Sequence, residues 1–177
     1  MFPASIDLPL PGHAVRHWAW SDKPALIRHA NNRNVSRALF DRFPFPYTEE
    51  SAERWLAIAT SEGPDIHRAI TFDGEAIGGI SAMRGSENLR YCASIGYWIG
   101  EAHWSRGVMT ATVTAFCNAL FEHTELERIE AGAFITNPAS HRVLEKAGFA
   151  REGVLRRKFF KDGEFVDDAV YALLRRR

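Results

Sequence analysis

One stretch of the chain combines residue types and spacing that can do chemistry. Ile95-Gly96-Tyr97-Trp98-Ile99-Gly100-Glu101-Ala102-His103-Trp104-Ser105-Arg106-Gly107-Val108-Met109-Thr110 reads as a strand, a short polar loop with one glycine near its end, and the start of a helix. A strand that feeds a helix through such a loop aims several backbone N–H groups at one spot. The helix dipole makes that spot positive, so it suits a phosphate or pyrophosphate. Other reactive groups lack telling spacing. Cys92 and Cys117 form no CxxC motif and are read as buried free thiols in a reducing compartment. His13 and His17 stand four apart, but in a stretch read as a strand, where that spacing is about 13 Å, and His29, His67, His123 and His141 show no HExxH or other ligand pattern, so no metal is expected.

The elements that hold this stretch follow from composition and pattern. A chain of 177 residues suits a single domain spanning residues 1–177, able to bury roughly 70% of its unfolded surface. Hydrophobic residues at 46% and charged residues at 25% fit a soluble globular protein. Lys plus Arg equals Asp plus Glu at 22 each, which gives no reason to expect nucleic acid or an anionic membrane as partner. The local runs Arg156-Arg157-Lys158 and Arg175-Arg176-Arg177 read as solubilising charge. The first residues carry Asp7 and three prolines rather than a basic start and an apolar run, and no segment reaches the roughly 20 apolar residues of a membrane span. A cytoplasmic protein is expected.

Residues 1–12 read as an irregular lead-in and residues 13–20 as a first strand. Ser21 and Pro24 open a helix that Asn31-Asn32 breaks, and residues 34–40 form a second helical piece. Phe43-Pro44-Phe45-Pro46-Tyr47 is an extended aromatic loop, either packed over the core or one wall of a cleft. Thr48 then caps a helix whose Ala52, Trp55, Leu56 and Ala59 share one face. Strands over 66–72 and 75–83 meet at an Asp73-Gly74 hairpin turn, and Gly78-Gly79 predicts a bulge or a close backbone approach. A strand over 89–99 enters the opening stretch. A helix over 107–122, a strand over 128–135 and a helix over 137–146 closed by Gly148 follow. Strands over 149–160 and 164–174 meet at Asp162-Gly163. The order predicts an α/β (α+β) mixed sheet of about seven strands with helices on both faces.

Three pieces in order carry a family resemblance. They are residues 95–110, Asn137-Pro138-Ala139-Ser140, and Leu144-Glu145-Lys146-Ala147-Gly148-Phe149 followed by Glu152-Gly153. Together they resemble the GNAT superfamily of acyl-CoA N-acyltransferases, in its RimJ/RimL-like branch. The resemblance implies a mostly antiparallel sheet with one splayed parallel pair, and acetyl-CoA as co-substrate. It implies that the backbone of Tyr97, Trp98 and Ile99 pairs with the pantetheine arm. The amides of Arg106, Gly107, Val108, Met109 and Thr110 would hold the pyrophosphate, where a side chain at Gly107 would block close approach. Asn137 would hydrogen-bond the cofactor near its thioester, and Ser140 would lie near the sulfur. Arg142 and Lys146 are either adenosine-phosphate contacts or solvated helix charges. Three departures stand out: Trp104 where the superfamily has Gln or Arg, Leu144 where many members carry a tyrosine acid, and Phe159 near the place of the branch's glutamate base.

The chemistry implied is attack of a neutral amine on an acetyl thioester. It needs orientation, an oxyanion donor, a base and an acid, and no protein nucleophile. Ser140 replaces the tyrosine as acid. Glu101, at the end of the central strand, is the first candidate base, against a reading as a solvated loop carboxylate. His103 is the second, since an unperturbed pKa of ~6.5 suits proton shuttling. A water relay held by backbone and Asn137 is the third. Glu75 reads as exposed. The acceptor walls are expected at residues 43–47, 34–40 and 159–165. The acceptor is a primary amine on a peptide or a small molecule, and the protein a monomer or homodimer. The alternative is a non-catalytic acyl-CoA-binding module, motivated by the missing tyrosine and glutamate.

Overall fold

Two Asp-Gly pairs set the hairpins of the sheet. Asp73 and Gly74 take φ of 47° and 85°, and Asp162 and Gly163 take 52° and 88°. Positive φ at both central residues gives the turn whose twist matches the flanking strands. The structure, a computed structural model, describes residues 2–176; Met1 and Arg177, the last residue of the basic triplet, lie outside it.

The strands are β1 (Ser5–Asp7), β2 (His13–Arg16), β3 (Ile66–Phe72), β4 (Glu75–Arg84), β5 (Cys92–Ile99), β6 (Arg128–Phe134), β7 (Ala150–Lys161) and β8 (Glu164–Leu174). The helices are α1 (Lys23–Ala30), α2 (Arg33–Ser36), α3 (Glu49–Ala59), α4 (Val108–His123) and α5 (Pro138–Lys146). Among the described residues the sheet has eight strands in the order β1-β2-β3-β4-β5-β6-β8-β7. The lead-in is therefore not wholly irregular: Ser5, Ile6 and Asp7 pair with Arg16, Val15 and Ala14. Its alternation is only three residues long and framed by prolines, too short to separate from a loop by period. The first strand is correspondingly shorter than the 13–20 expected, because Trp20–Asp22 turns as a 3-10 helix before α1.

All pairings are antiparallel except β5 with β6. That pair follows from α4, which crosses over between them. β8 inserts between β6 and β7, so α5 joins two strands that point the same way without touching. Helices cover both faces. One apolar layer gathers Val113, Phe116 and Leu120 of α4 and Leu144 of α5 over Ile80, Ile95 and Ile129. The other gathers Leu26 of α1 and Ala52 and Leu56 of α3 over Ala69 and Ala76. The Gly78-Gly79 pair serves both predicted purposes. The β3–β4 register shifts beside Gly78, and a side chain at Gly78 would collide with the Trp98 backbone.

Candidate active site

The parallel pairing of β5 with β6 lasts for three residues, Cys92–Ser94 against Arg128–Glu130. Beyond it the strands splay. Residues 95–99 stay bonded to β4 on one side, with Tyr97 opposite Ile80 and Trp98 opposite Gly79. Residues 131–134 stay bonded to β8. Between them opens a V lined by backbone, which suits an extended ligand rich in amides.

At one end of the V the chain turns into α4. Ser105 and Gly107 both take the left-handed conformation, with φ of 59° and 78°. Gly107 is the residue before α4, and no side chain caps the first turn. The amides of Val108, Met109 and Thr110 are thus left for a ligand. A Cβ built at Gly107 would meet nothing within 4 Å. The glycine is required by its backbone angle, and the space in front of it is open. Arg106 is exposed beside it. Trp104 gives the departure from the superfamily pattern a role: its Nε1 donates to the Ile99 carbonyl at 2.9 Å and ties the loop to the end of β5. That carbonyl is therefore already engaged within the protein, which narrows the part Ile99 can play toward a ligand.

On the α5 side of the V the Tyr97 hydroxyl lies 2.8 Å from Ser140 Oγ. Burial holds the Tyr97 phenol well above its usual pKa, and the Ser140 hydrogen bond pulls weakly the other way. The family resemblance assigns a part only to the backbone of Tyr97. The alternation along β5 already put its side chain on the α5 face, opposite to Trp98. Asn137 is the cap of α5, its Oδ1 accepting from the Ser140 amide at 3.2 Å, so only its Nδ2 faces other work. Leu144 is fully buried and belongs to the core. Cys117 is buried too, which pushes its thiol up to about 12. Arg142 and Lys146 are exposed on α5.

Glu101 is oriented rather than loose. Its two carboxylate oxygens accept from Asn32 Nδ2 at 2.7 Å and Asn34 Nδ2 at 2.9 Å. Asn32 also caps α2 through its Oδ1, at 2.8 Å from the Asn34 amide. The break between α1 and α2 thus reaches across to the end of β5. His103 packs against His29 with ring centres 5.4 Å apart, and burial first, then His29, lowers its pKa. Glu75 is not simply exposed: His29 Nε2 and Arg28 reach it at 2.8 and 2.6 Å.

The expected acceptor walls divide. Phe40, Phe134, Phe159 and Phe160 line a cavity of about 270 Å³ together with Asp41, Arg42 and Lys161. Phe159 stacks on Phe40 and Phe134 at 4.8 and 5.4 Å. The 43–47 loop packs inward only at its ends: Tyr47 is 5% exposed and Phe43 lies against Tyr47 and Trp98, while Phe45 between them is 46% exposed. Residues 34–40 are not one helix either, since α2 ends at Ser36. The run Arg156-Arg157-Lys158 is not all solvated charge, because Lys158 Nζ pairs with buried Asp168 at 2.8 Å.

A sheet splayed at one parallel pair, with an uncapped helix N-terminus at the end of the splay, defines a mixed α/β fold with a backbone-lined cleft. Residues 14–150 match the acetyltransferase (GNAT) domain family, and the chain belongs to that family. It is 38% identical over 102 residues to the probable N-acetyltransferase YjcK of Bacillus subtilis, covering 58% of this chain and 56% of that protein. It is 33% identical over 100 residues to the ribosomal-protein-serine acetyltransferase of Escherichia coli K12, covering 56% and 55%. These matches span little more than half the length of the curated relatives. The structure of Mycobacterium smegmatis RimJ in complex with CoA-disulfide superposes with a TM-score of 0.84 at 24% identity, covering 98% of this chain and 88% of that one.

Proposed function

We propose that this chain is an N-acetyltransferase of the RimJ/RimL-like kind, which passes an acetyl group from acetyl-CoA to a primary amine in a ternary complex. The carrying observation is the backbone-lined V running from the Tyr97–Ser140 pair to the uncapped start of α4. Open space before Gly107 and unspent first-turn amides fit a pyrophosphate. The co-substrate supplies an activated thioester. The residues supply the rest. The backbone of Tyr97 and Trp98, with what Ile99 has left, orients the pantetheine arm; Arg106, Gly107, Val108, Met109 and Thr110 hold the phosphates. Asn137 Nδ2 donates toward the arm. Ser140 gives its proton to the departing sulfur and takes one from Tyr97, whose own proton is restored from solvent before the next turnover. Glu101, fixed by Asn32 and Asn34, accepts the amine proton directly or through water.

The ribosomal-protein relative supports an amine on a protein as acceptor; a protein N-terminus, and a monomer or homodimer acting in the cytoplasm, fit this reading. No helix among the described residues is long and apolar enough to cross a membrane. A second reading, an acyl-CoA-binding module without turnover, is favoured by buried Leu144 and by Phe159 in an aromatic wall. Thiol release from acetyl-CoA, measured over a panel of amines and N-terminal peptides, separates the two. Release with one acceptor class supports the transferase; tight CoA binding without release on any acceptor supports the module.

A further inference from the structure

Gly132, Phe134 and Asp168 point to the sheet face away from α4 and α5, because Ala131, Ala133 and Ala169 belong to the layer beneath those helices. Asp168 is 2% exposed. Its Oδ2 accepts from Lys158 Nζ at 2.8 Å, while its Oδ1 is buried with no partner. The carboxylate lies over Gly132, where a Cβ would come within 2.9 Å of Oδ2 and 3.0 Å of Oδ1. Gly132 is itself exposed and sits in the part of β6 that has left β5. The half-satisfied carboxylate therefore borders the V. The Phe159 ring lies 4.9 Å from the Lys158 ammonium, and Phe40 and Phe134 stack on that ring.

A carboxylate has room for about four hydrogen bonds and leaves a buried oxygen unmatched only at a cost. The group that completes this one is a compact cation with several N–H donors, which aromatic faces also attract. We propose that Asp168 is the seat for the primary ammonium of the acceptor, and that Phe40, Phe134 and Phe159 take the apolar group beside it. This rests on the transferase reading of the same cleft. Lys158 holds the seat until an acceptor arrives. It lies in a bulge of β7 between Leu155 and Phe159, where Arg157 takes φ of 51° and the pairing with β8 lapses. Its half-exposed stem can swing out without breaking a strand pair. The acceptor class is thus a free primary ammonium next to an apolar group small enough for a cavity of about 270 Å³.

The test is calorimetry in the presence of CoA, so that no turnover is needed. The probes are n-butylamine and tetrapeptides beginning with Ala, Ser or Phe, each peptide free and N-acetylated. The wild-type protein should bind the free ammonium forms about tenfold or more tightly than the acetylated ones. Asp168→Asn should erase that preference while CoA affinity stays within about twofold, and Lys158→Met should bind free amines several-fold more tightly. A preference that survives Asp168→Asn overturns the seat, as does a Lys158→Met protein no tighter than wild type, or a wild type indifferent to acetylation. If Asp168→Asn does not fold, the Lys158 variant and the wild-type comparison decide. Peptides binding where butylamine does not would identify a chain terminus as acceptor and uphold the seat. Selective binding without acetyl transfer upholds the seat and removes the transferase reading instead.

Discussion

The two sides of the cleft are built on different principles. On the transferase reading proposed above, the donor side runs from β5 through the loop to α4 and α5 and works mainly with backbone: a splayed strand, left-handed Ser105 and Gly107, and an uncapped helix start. The acceptor side works with side chains, gathered from the α1–α2 break, the segment at Phe40, the end of β6 and the β7–β8 hairpin. Backbone devices tolerate change in most side chains and depend on a few residues of special geometry. Side-chain devices share the load and can be retuned one residue at a time. The donor side should therefore fail at single positions, and the acceptor side should degrade by degrees.

The largest effect is expected at Gly107. Gly107→Glu puts a negative side chain into the open space before α4 and forces a non-glycine into φ of 78°. CoA binding, followed by calorimetry, should fall beyond detection. Gly107→Ala keeps the space open and loses only the backbone freedom, about 1 kcal/mol or slightly more in chemical denaturation. CoA binding by the folded glutamate variant at wild-type affinity would break the comparison on its donor side.

The same division explains what was legible beforehand. The glycine loop before α4, the Asn137 cap and the two Asp-Gly hairpins are local signals, each written within a few consecutive residues. The acceptor side has no local signature. Asn32 and Glu101 are far apart in sequence yet 2.7 Å apart in space, and Phe40 meets Phe159 only through the fold. Asp168 carries no local signature at all, because burial and an orphaned oxygen are tertiary facts. Ser5–Asp7 was missed because three residues carry too little period to register.

Between these extremes stands the Tyr97–Ser140 pair, a side-chain device on the donor side. Ser140→Ala and Tyr97→Phe should each lower kcat about 10- to 100-fold, the lower range of general acid catalysis, with CoA affinity little changed. Because burial raises the Tyr97 pKa, its proton stays in place across the neutral range, and neither variant should shift the alkaline limb of the rate profile. Equal rates for Tyr97→Phe and wild type would leave Ser140 without its relay. Asn34→Ala should be milder. It removes one of the two amides on Glu101, and a several-fold drop in kcat/KM is expected, with the Asn32 contact preserving most of the orientation. A loss as large as that of Ser140→Ala would mean that Glu101 depends on one contact and not on a shared set.

The smallest effect is expected at the seam between the two sides, where Glu75 of β4 holds His29 and Arg28 of α1. Its pKa is lowered first by the His29 hydrogen bond and then by Arg28. A depressed carboxylate pKa stabilises the fold at pH values above the unfolded pKa, and the gain is lost as pH falls through the folded one. The site is largely open to solvent, so the contribution is in the range of about 0.2–1 kcal/mol at neutral pH. Glu75→Gln should therefore lower Tm slightly near pH 7, and the difference should shrink as pH falls below the ordinary carboxylate range and the wild-type carboxyl takes up its proton. Added salt should shrink the neutral-pH difference. CoA affinity should stay within a factor of two, since Gly100 and the loop behind it are also held by Trp104. A large, salt-insensitive loss of CoA binding in Glu75→Gln would instead make the seam part of the donor site, and the division between a backbone side and a side-chain side would then need a third element.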